Sequence, residues 1–538
     1  MKSDIPVLNL ISDHLDRQVE LRPDQDFLVQ DDTRLSYAAT KVAVDLMAKA
    51  LMATGVERGD RVALIANPTP SFWIHFLAVT SVGAIWVGLN PKYTSSELDH
   101  VVSDAEPSTL FGFSTLDGAS MTEELRRLMV THRSLEHLVL FDAGRSDEDS
   151  TGLAVDDWLG AADGVSDADL ADRRGHVTTL DPAFLVSTSG STGRPKGALI
   201  THRGSNVCNV IAIERKGLAD RRVICNLPIN HVGAIGDICG RTMTGGGTLF
   251  FHERFSPEAT LRAIEIERLN TIAGVPTMLQ LCADHPLFET VNLSSVDLIA
   301  WGGAAIPAEL LQRLIDKTGA PHCTMGYGMT EVTGGVTYAG LTDSVELLST
   351  TVGTPDERQP LRIWHPEGRE AEVGEAGEIQ TKGDFVMAGY WRNPDATAAA
   401  FTDDGWFRTG DLALMRHDGY VQIVGRMSEM FKSGGYNVYP REVELALEEH
   451  NGVSMAAVVS LPDPTFQEVG VAYVMGDADI DPASLRSFAA ERLANYKVPK
   501  RIHVLDELPM LPIGKVDKKA LRALAKVDPS PPLSPRVG

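Results

Sequence analysis

The sequence predicts an α/β protein with a large N-terminal domain of mostly parallel sheets flanked by helices, and a small C-terminal α+β domain. Three observations carry that prediction. Over roughly the first 160 residues, stretches with apolar residues at helical spacing alternate with short apolar runs of strand length, the order expected of strand–helix–strand units. Glycine clusters then follow apolar runs through the middle of the chain, as in "TGGGTLFF" and "IAWGGAAIP". They mark turns where the backbone passes close to a ligand or to another backbone. Finally, the 538 residues exceed what one hydrophobic core serves, so more than one domain is needed.

The elements follow in order. "LSYAATKVAVDLMAKALMATGV" reads as a helix stopped by glycine, "DRVALIAN" as a buried strand, and "PSFWIHFLAVTSVGAIWVGLN" as a buried helix running into a strand. The apolar run in that last segment is too short to span a bilayer. "DAGRSDEDSTG" and "GAADGVSDADLADRRG" are polar and acidic, and predict a surface excursion. From Asp181 to about Gly425 the strand and helix signals continue. A strand then ends at Gly425, a glycine loop follows, and "REVELALEEH" opens a helix. The predicted division is residues 1–425, a hinge at 426–428, a small domain at 429–526 and a disordered, proline-rich tail at 527–538.

Composition narrows the function. Lys plus Arg number 49 against 73 Asp plus Glu, a net charge of −24, which argues against a nucleic-acid binder and its basic face. The five cysteines, Cys208, Cys225, Cys239, Cys282 and Cys323, include no CxxC pair. They point to reduced, buried thiols in the cytoplasm rather than to disulfides or zinc. The first residues, "MKSDIPVLNLISDHLDRQ", have acids interrupting a short apolar run and do not read as an export signal. The expectation is a cytoplasmic protein without stable membrane insertion.

One loop carries chemistry by itself. "STSGSTGRPKG" combines hydroxyls, glycines and a lysine. Its backbone amides and the hydroxyls of Thr188, Ser189, Ser191 and Thr192 can donate to phosphate oxygens, with Gly190 and Gly193 giving freedom and Lys196 adding charge. It is not a Walker A loop. That pattern places Ser or Thr directly after the lysine, whereas here Pro195 precedes Lys196 and Gly197 follows it.

Five further segments occur in order: "WGGAAIP", "MGYGMTE", "GWFRTGDLA", "GRMSEMFKSGGYNVYPREVE" and "LPMLPIGKVDKKAL". Together with the loop they resemble the adenylate-forming superfamily of acyl-CoA synthetases, firefly luciferase and peptide-synthetase adenylation domains. The resemblance spans nearly the whole chain. It implies an acid–thiol ligase acting in two half-reactions. A carboxylate attacks the α-phosphate of ATP to give acyl-AMP and pyrophosphate; a thiol, usually that of CoA, then takes the acyl group and releases AMP. Both first substrates are anions, so charge must be neutralised and the attack aligned. Mg2+, ATP and CoA are therefore the implied cofactor and co-substrates.

The resemblance also implies roles. Thr330 bonds the α-phosphate and Glu331 helps hold magnesium, a hard cation that takes oxygen ligands. Tyr327 stacks on adenine, against a wall of Gly302, Gly303 and Ala304. Asp411 accepts from the ribose hydroxyls and Arg426 contacts the same region, with Gly328, Met329 and Ile423 completing the nucleotide set. Lys515 is the mobile catalytic lysine of the first half-reaction, although "PMLPI" departs from the usual flanking order and "GKVDKK" also reads as a solvated charge run. The small domain is mobile: it pivots near Ser428, where Asp or Lys is usual, and brings Lys432, Ser433, Gly434, Gly435 and Tyr436 to the CoA channel. Lys497, Lys500 and Arg501 are further candidates for CoA phosphates.

The acyl pocket is expected beside "NLPINHVGAIGD". His231 matches a gating residue, and Gly233, Ala234, Gly236 and Gly334 make the pocket roomy and mostly apolar. A medium-chain, branched, alicyclic or aromatic acid would fit. Asp237 is the discordant neighbour, either outside the pocket or facing a polar substituent. A separate carrier protein as acceptor, or a catalytically silent nucleotide-binding regulator, remain the alternatives. The partners are the acid, ATP and CoA, with a homodimer left open.

Overall fold

The computed structural model describes residues 5–143, 152–188, 195–476, 480–510 and 516–527. Its largest sheet runs, edge to edge, through Gly389–Tyr390, Lys196–Thr201, Pro182–Thr188, Ile85–Leu89, Arg61–Ile65, Thr109–Gly112, His137–Leu140 and Leu153–Ala154. From Pro182–Thr188 onward neighbouring strands are parallel; the first two pairings are antiparallel.

The helices follow from local chemistry. Ser36 caps Tyr37–Ala53 through the Ala39 amide, and Thr69 caps Pro70–Ser81 through the Phe72 amide with Pro70 at its first position. Both are preferred starts. The second helix is buried nearly all round, as a helix with apolar residues on every face must be. Phe72, Trp73 and Phe76 pack with Trp86, Phe111 and Phe184 in the principal core. Full burial of each such ring contributes about 2–3 kcal/mol before entropy is counted.

A second sheet holds Thr271–Gly274, Leu298–Gly302 and His322–Met329 in parallel, continued by Gly334–Tyr338 and Thr354–Pro355 in antiparallel sense. A smaller one joins Arg222–Cys225, Thr248–Phe251, Asp26–Gln30 and Thr33–Ser36. The strand–helix alternation expected up to Gly425 stops earlier. Arg369–Glu370, Leu361–His365, Ala376–Thr381, Phe407–Met415 and Val421–Arg426 form a wholly antiparallel sheet. Turns such as "HPEGRE" and "RHDGY" close hairpins instead of leading into crossover helices.

Beyond it lies a separate sheet of Phe431–Ser433, Tyr436–Val438, Val453–Asp463, Gln467–Gly476 and Arg501–Val504. Helices Pro440–Glu448 and Pro482–Ala490 pack on it. The second of the acidic stretches expected as a surface excursion is helical. Asp167–Gly175 is a helix with a Ser166–Asp169 capping box and Leu170 buried. The closing helix Lys518–Val527 takes in Val527, one residue of the predicted tail; the rest of that tail lies outside the described residues. All five cysteines are buried and free. Among the described residues no helix is long and apolar enough to cross a membrane.

Candidate active site

The loop expected to hold phosphate is closed at its base by a hairpin. Thr188 stands opposite Lys196 across the antiparallel pair, and its hydroxyl donates to the Lys196 carbonyl at 3.2 Å. Ser189, Gly190, Ser191, Thr192 and Gly193 lie outside the described residues. On the other side of this hairpin, Tyr390 pairs with Ala198. That register sets Lys196 Nζ 5.2 Å from the Tyr390 ring centroid, within cation–π reach. The Tyr390 hydroxyl donates to Glu331 Oε1 at 2.9 Å, and the Glu331 carbonyl accepts from the Met387 amide at 2.8 Å. Burial, with Glu331 beside it, pushes the Tyr390 phenol above its ordinary value, so it remains a donor. Tyr390 thus joins Lys196 to Glu331. Sequence reasoning missed it because a tyrosine in "MAGYW" breaks no periodicity.

The segments expected beside adenine leave the second sheet at one end of its strands. Gly302 stands opposite Gly326 in a parallel pair, so "WGGAA" and "GYGMTE" emerge together at the carboxyl ends of their strands, where open α/β sheets place ligands. A Cβ on Gly302 would meet open space, and Gly303 and Ala304 are exposed. Gly328 has a stricter reason: a Cβ there would lie 1.4 Å from the Gly334 carbonyl oxygen. The Met329–Gly334 pairing closes the turn Thr330–Val332, which presents Thr330 and Glu331.

Asp411 is 3% exposed and faces Arg426 across the antiparallel pair. Arg426 Nε lies 2.8 Å from Asp411 Oδ1, and the Tyr327 hydroxyl donates to Oδ2 at 2.7 Å. Burial, with the Asp411 carboxylate next, pushes the Tyr327 phenol well up. Tyr327 is therefore anchored by its hydroxyl, and it packs in the same small cluster as Ile423. Each Asp411 oxygen retains a second lone pair for a ribose hydroxyl.

The segment expected at the acyl pocket winds as a π-helix over Gly233–Gly240, a rare form that recurs at functional sites. His231 Nδ1 accepts from the Gly233 amide at 3.0 Å, fixing the turn before it. Gly233, Ala234 and Gly236 are buried. Gly236 lies across from Thr333, whose carbonyl oxygen would be 3.7 Å from a Cβ. Asp237 pairs with Arg241, Oδ1 to Nη2 at 2.5 Å, directly under Gly334.

In the small domain, Gly434 (φ 59°) and Gly435 (φ 88°) form the two-residue turn between strands Phe431–Ser433 and Tyr436–Val438. The left-handed backbone, more than close approach of a ligand, requires glycine there. Ser433 is buried, Lys432 exposed, and Tyr436 is 61% exposed while stacked on Tyr496. Lys500 Nζ lies over Phe466 at 5.0 Å, whereas Lys497 is engaged by Glu442. Ser428 sits in an exposed turn after Arg426. Lys515 lies outside the described residues, but its neighbour Lys518 is no solvated charge: it bridges Glu429 at 2.6 Å and Glu444 at 2.8 Å.

Comparison with known proteins gives the family. The AMP-binding enzyme family matches residues 15–391, and the C-terminal domain of the same enzymes matches residues 442–515. A feruloyl-CoA synthase from Amycolatopsis sp is 37% identical over 510 residues, 94% of this chain and 97% of that protein. A methyl-dioxo-octahydroindenyl-propanoyl:CoA ligase from Mycobacterium tuberculosis is 35% identical over 514 residues, 95% and 98% of the two chains. The solved structure of ATP-bound MatB from Rhodopseudomonas palustris superposes with a TM-score of 0.80 at 28% identity, covering 97% of this chain and 99% of that one. With both family domains matched in order and relatives aligned end to end, the chain belongs to the AMP-binding, adenylate-forming enzymes, in their acyl-CoA synthetase branch.

Proposed function

We propose that the protein is an ATP-dependent acid–CoA ligase that activates an aromatic or alicyclic carboxylic acid as its acyl-AMP and passes the acyl group to CoA. The observation that carries this reading is the convergence of two constellations. Tyr327, Asp411 and Arg426 form a nucleoside cradle, and Lys196, Tyr390 and Glu331 form a polar cluster beside the phosphate hairpin. In this reading Asp411 receives the ribose hydroxyls, Thr188, Thr330 and Lys196 neutralise phosphate charge, and Lys515 completes the site for adenylation.

Glu331 suits magnesium. Tyr390 occupies Oε1 and leaves Oε2 as a hard oxygen donor. A magnesium ion held by Glu331 would take its other ligands from ATP oxygens and water. Bound there, it would offset charge building on the phosphates.

The division at 426–428 is supported by the separate sheet that follows it. The Gly434–Gly435 turn, with Tyr436, Tyr496, Lys432 and Lys500 around it, offers the rings and cations that CoA needs. The aromatic or alicyclic class draws on the substrates that the two named relatives carry in their names.

The test is mass spectrometry after incubation with ATP, magnesium, CoA and a panel of such acids. Acyl-CoA plus AMP is the expected result. Acyl-AMP without acyl-CoA would move the acceptor to a carrier protein, and no AMP with any acid would refute the ligase.

A further inference from the structure

The sequence left Asp237 as a discordant acid beside the expected acyl pocket, and its surroundings give it a use. Throughout residues 232–251, only Asp237 and Ile238 escape full burial. The Asp237 side chain is 37% exposed, while the Arg241 side chain paired with it is 6% exposed. Behind them, Lys216 is 7% exposed; burial, then Arg241, lowers its ammonium to about 8. Gly334 covers the pair closely: a Cβ would stand 2.9 Å from Asp237 Oδ1, 3.0 Å from Arg241 Nη2 and 3.3 Å from Cys208 Sγ. Gly334 is also the third residue past Glu331, so the carboxylate lies one short turn from the phosphate end of the site.

Three charged groups thus share this corner, two cations and one anion, and their exposures decide which one a ligand meets. Arg241 and Lys216 are sealed behind, and Asp237 Oδ1 is buried against Arg241. What remains open is the rest of the carboxylate, fixed in place by its pairing with Arg241. An ionised carboxylate only accepts hydrogen bonds. A hydrocarbon pressed against it would strip its water and return nothing, whereas an O–H or N–H would satisfy it.

We propose that Asp237 is a specificity-determining residue that accepts a hydrogen bond from a hydroxyl or amino group on the part of the acid remote from its carboxylate. This rests on the ligase reading above and narrows it: the substrates are donor-bearing ring acids, and their unsubstituted or O-methylated counterparts are discriminated against. A hydrogen bond to a charged group, in a pocket where losing it strands that charge, is worth about 10- to 100-fold in kcat/KM.

The test compares matched acids in acid-dependent pyrophosphate release: 4-hydroxy-, 4-methoxy- and unsubstituted cinnamate, the same three phenylacetates, and 4-hydroxycyclohexane- against cyclohexanecarboxylate. The hydroxylated member is expected to lead by about 10- to 100-fold in the preferred series, with the methoxy compound grouped with the unsubstituted one. Asp237→Asn, which keeps the shape, should shrink that lead to within about threefold. If loss of the partner of Arg241 prevents folding of that variant, the wild-type ratios decide alone. Turnover with ratios near one, or with the methoxy compound as good as the hydroxyl, overturns the role of Asp237 and spares the ligase. No turnover of any acid overturns both.

Discussion

Tyr390 offers the sharpest check on the phosphate end of the site. Its hydroxyl donates to Glu331 at 2.9 Å while its ring lies 5.2 Å from Lys196 Nζ, so two substitutions separate two contributions. Tyr390→Phe removes only the hydroxyl. A hydrogen bond to a charged acceptor contributes about 1.5–3 kcal/mol, and the partial exposure of both side chains favours the lower part of that range. About 1.5–2 kcal/mol corresponds to a 10- to 30-fold loss in kcat/KM. Tyr390→Leu also removes the cation–π contact, about 0.5–1 kcal/mol, for a further two- to fivefold. The assay is acid-dependent ATP–pyrophosphate exchange, set beside thioester formation from supplied acyl-AMP. Exchange should fall and thioester formation should hold, because the proposed assignment has Glu331 and Lys196 serve the phosphates that leave before the second step. Unchanged exchange in Tyr390→Phe, or equal loss in both halves, would refute the idea that Tyr390 orients Glu331.

Lys515→Ala should cost acyl-AMP formation far more than thioesterification of supplied acyl-AMP; equal losses would sink the two-conformation assignment. Gly435→Leu should spare adenylation and slow the thiol step. Because residue 435 has φ 88°, that variant should also lose about 1–2 kcal/mol of stability in urea titration; a fully active thiol step would remove the turn from the CoA path. Lys216→Met probes the buried cluster. A lysine lowered from 10.5 to about 8 destabilises the fold below pH 8, and the penalty disappears as pH rises from about 8 to 10.5, because the unfolded chain holds the extra proton in that window. The variant should therefore be more stable than wild type at pH 7, by on the order of 3 kcal/mol at most. That advantage should vanish by pH 10.5, and lower stability at pH 7 would contradict it.

Much of the site was legible because ATP chemistry restricts residue type. Thr188, Lys196, Glu331, Tyr327, Asp411 and Arg426 are named by their motifs, and the fold links them across three sheets through the Tyr390–Glu331 and Tyr327–Asp411 hydrogen bonds. The helices Tyr37–Ala53 and Pro70–Ser81 were legible for a different reason, since their caps and apolar patterns are local. The antiparallel sheet over 361–426 was not, because strand direction depends on which partner a strand finds. Asp167–Gly175 was missed because its acidic composition hid a capping box and one buried leucine.

By itself, then, the sequence determined the local conformations and the chemical inventory: caps, glycine turns, a loop rich in hydroxyls and glycines, and the carboxylates and lysines expected of an adenylating enzyme. These depend on residues a few positions apart, or on groups the reaction cannot do without. The tertiary structure alone decided what each of those groups faces. Tyr390 reaches Glu331 across 59 positions of sequence, and Tyr327 reaches Asp411 across 84. Asp237, discordant in the sequence, pairs locally with Arg241, but only the fold sets Gly334 against that pair. Pairings of that kind depend on sheet register and helix placement, which are set by the packing of the whole core and leave no periodic mark in the chain.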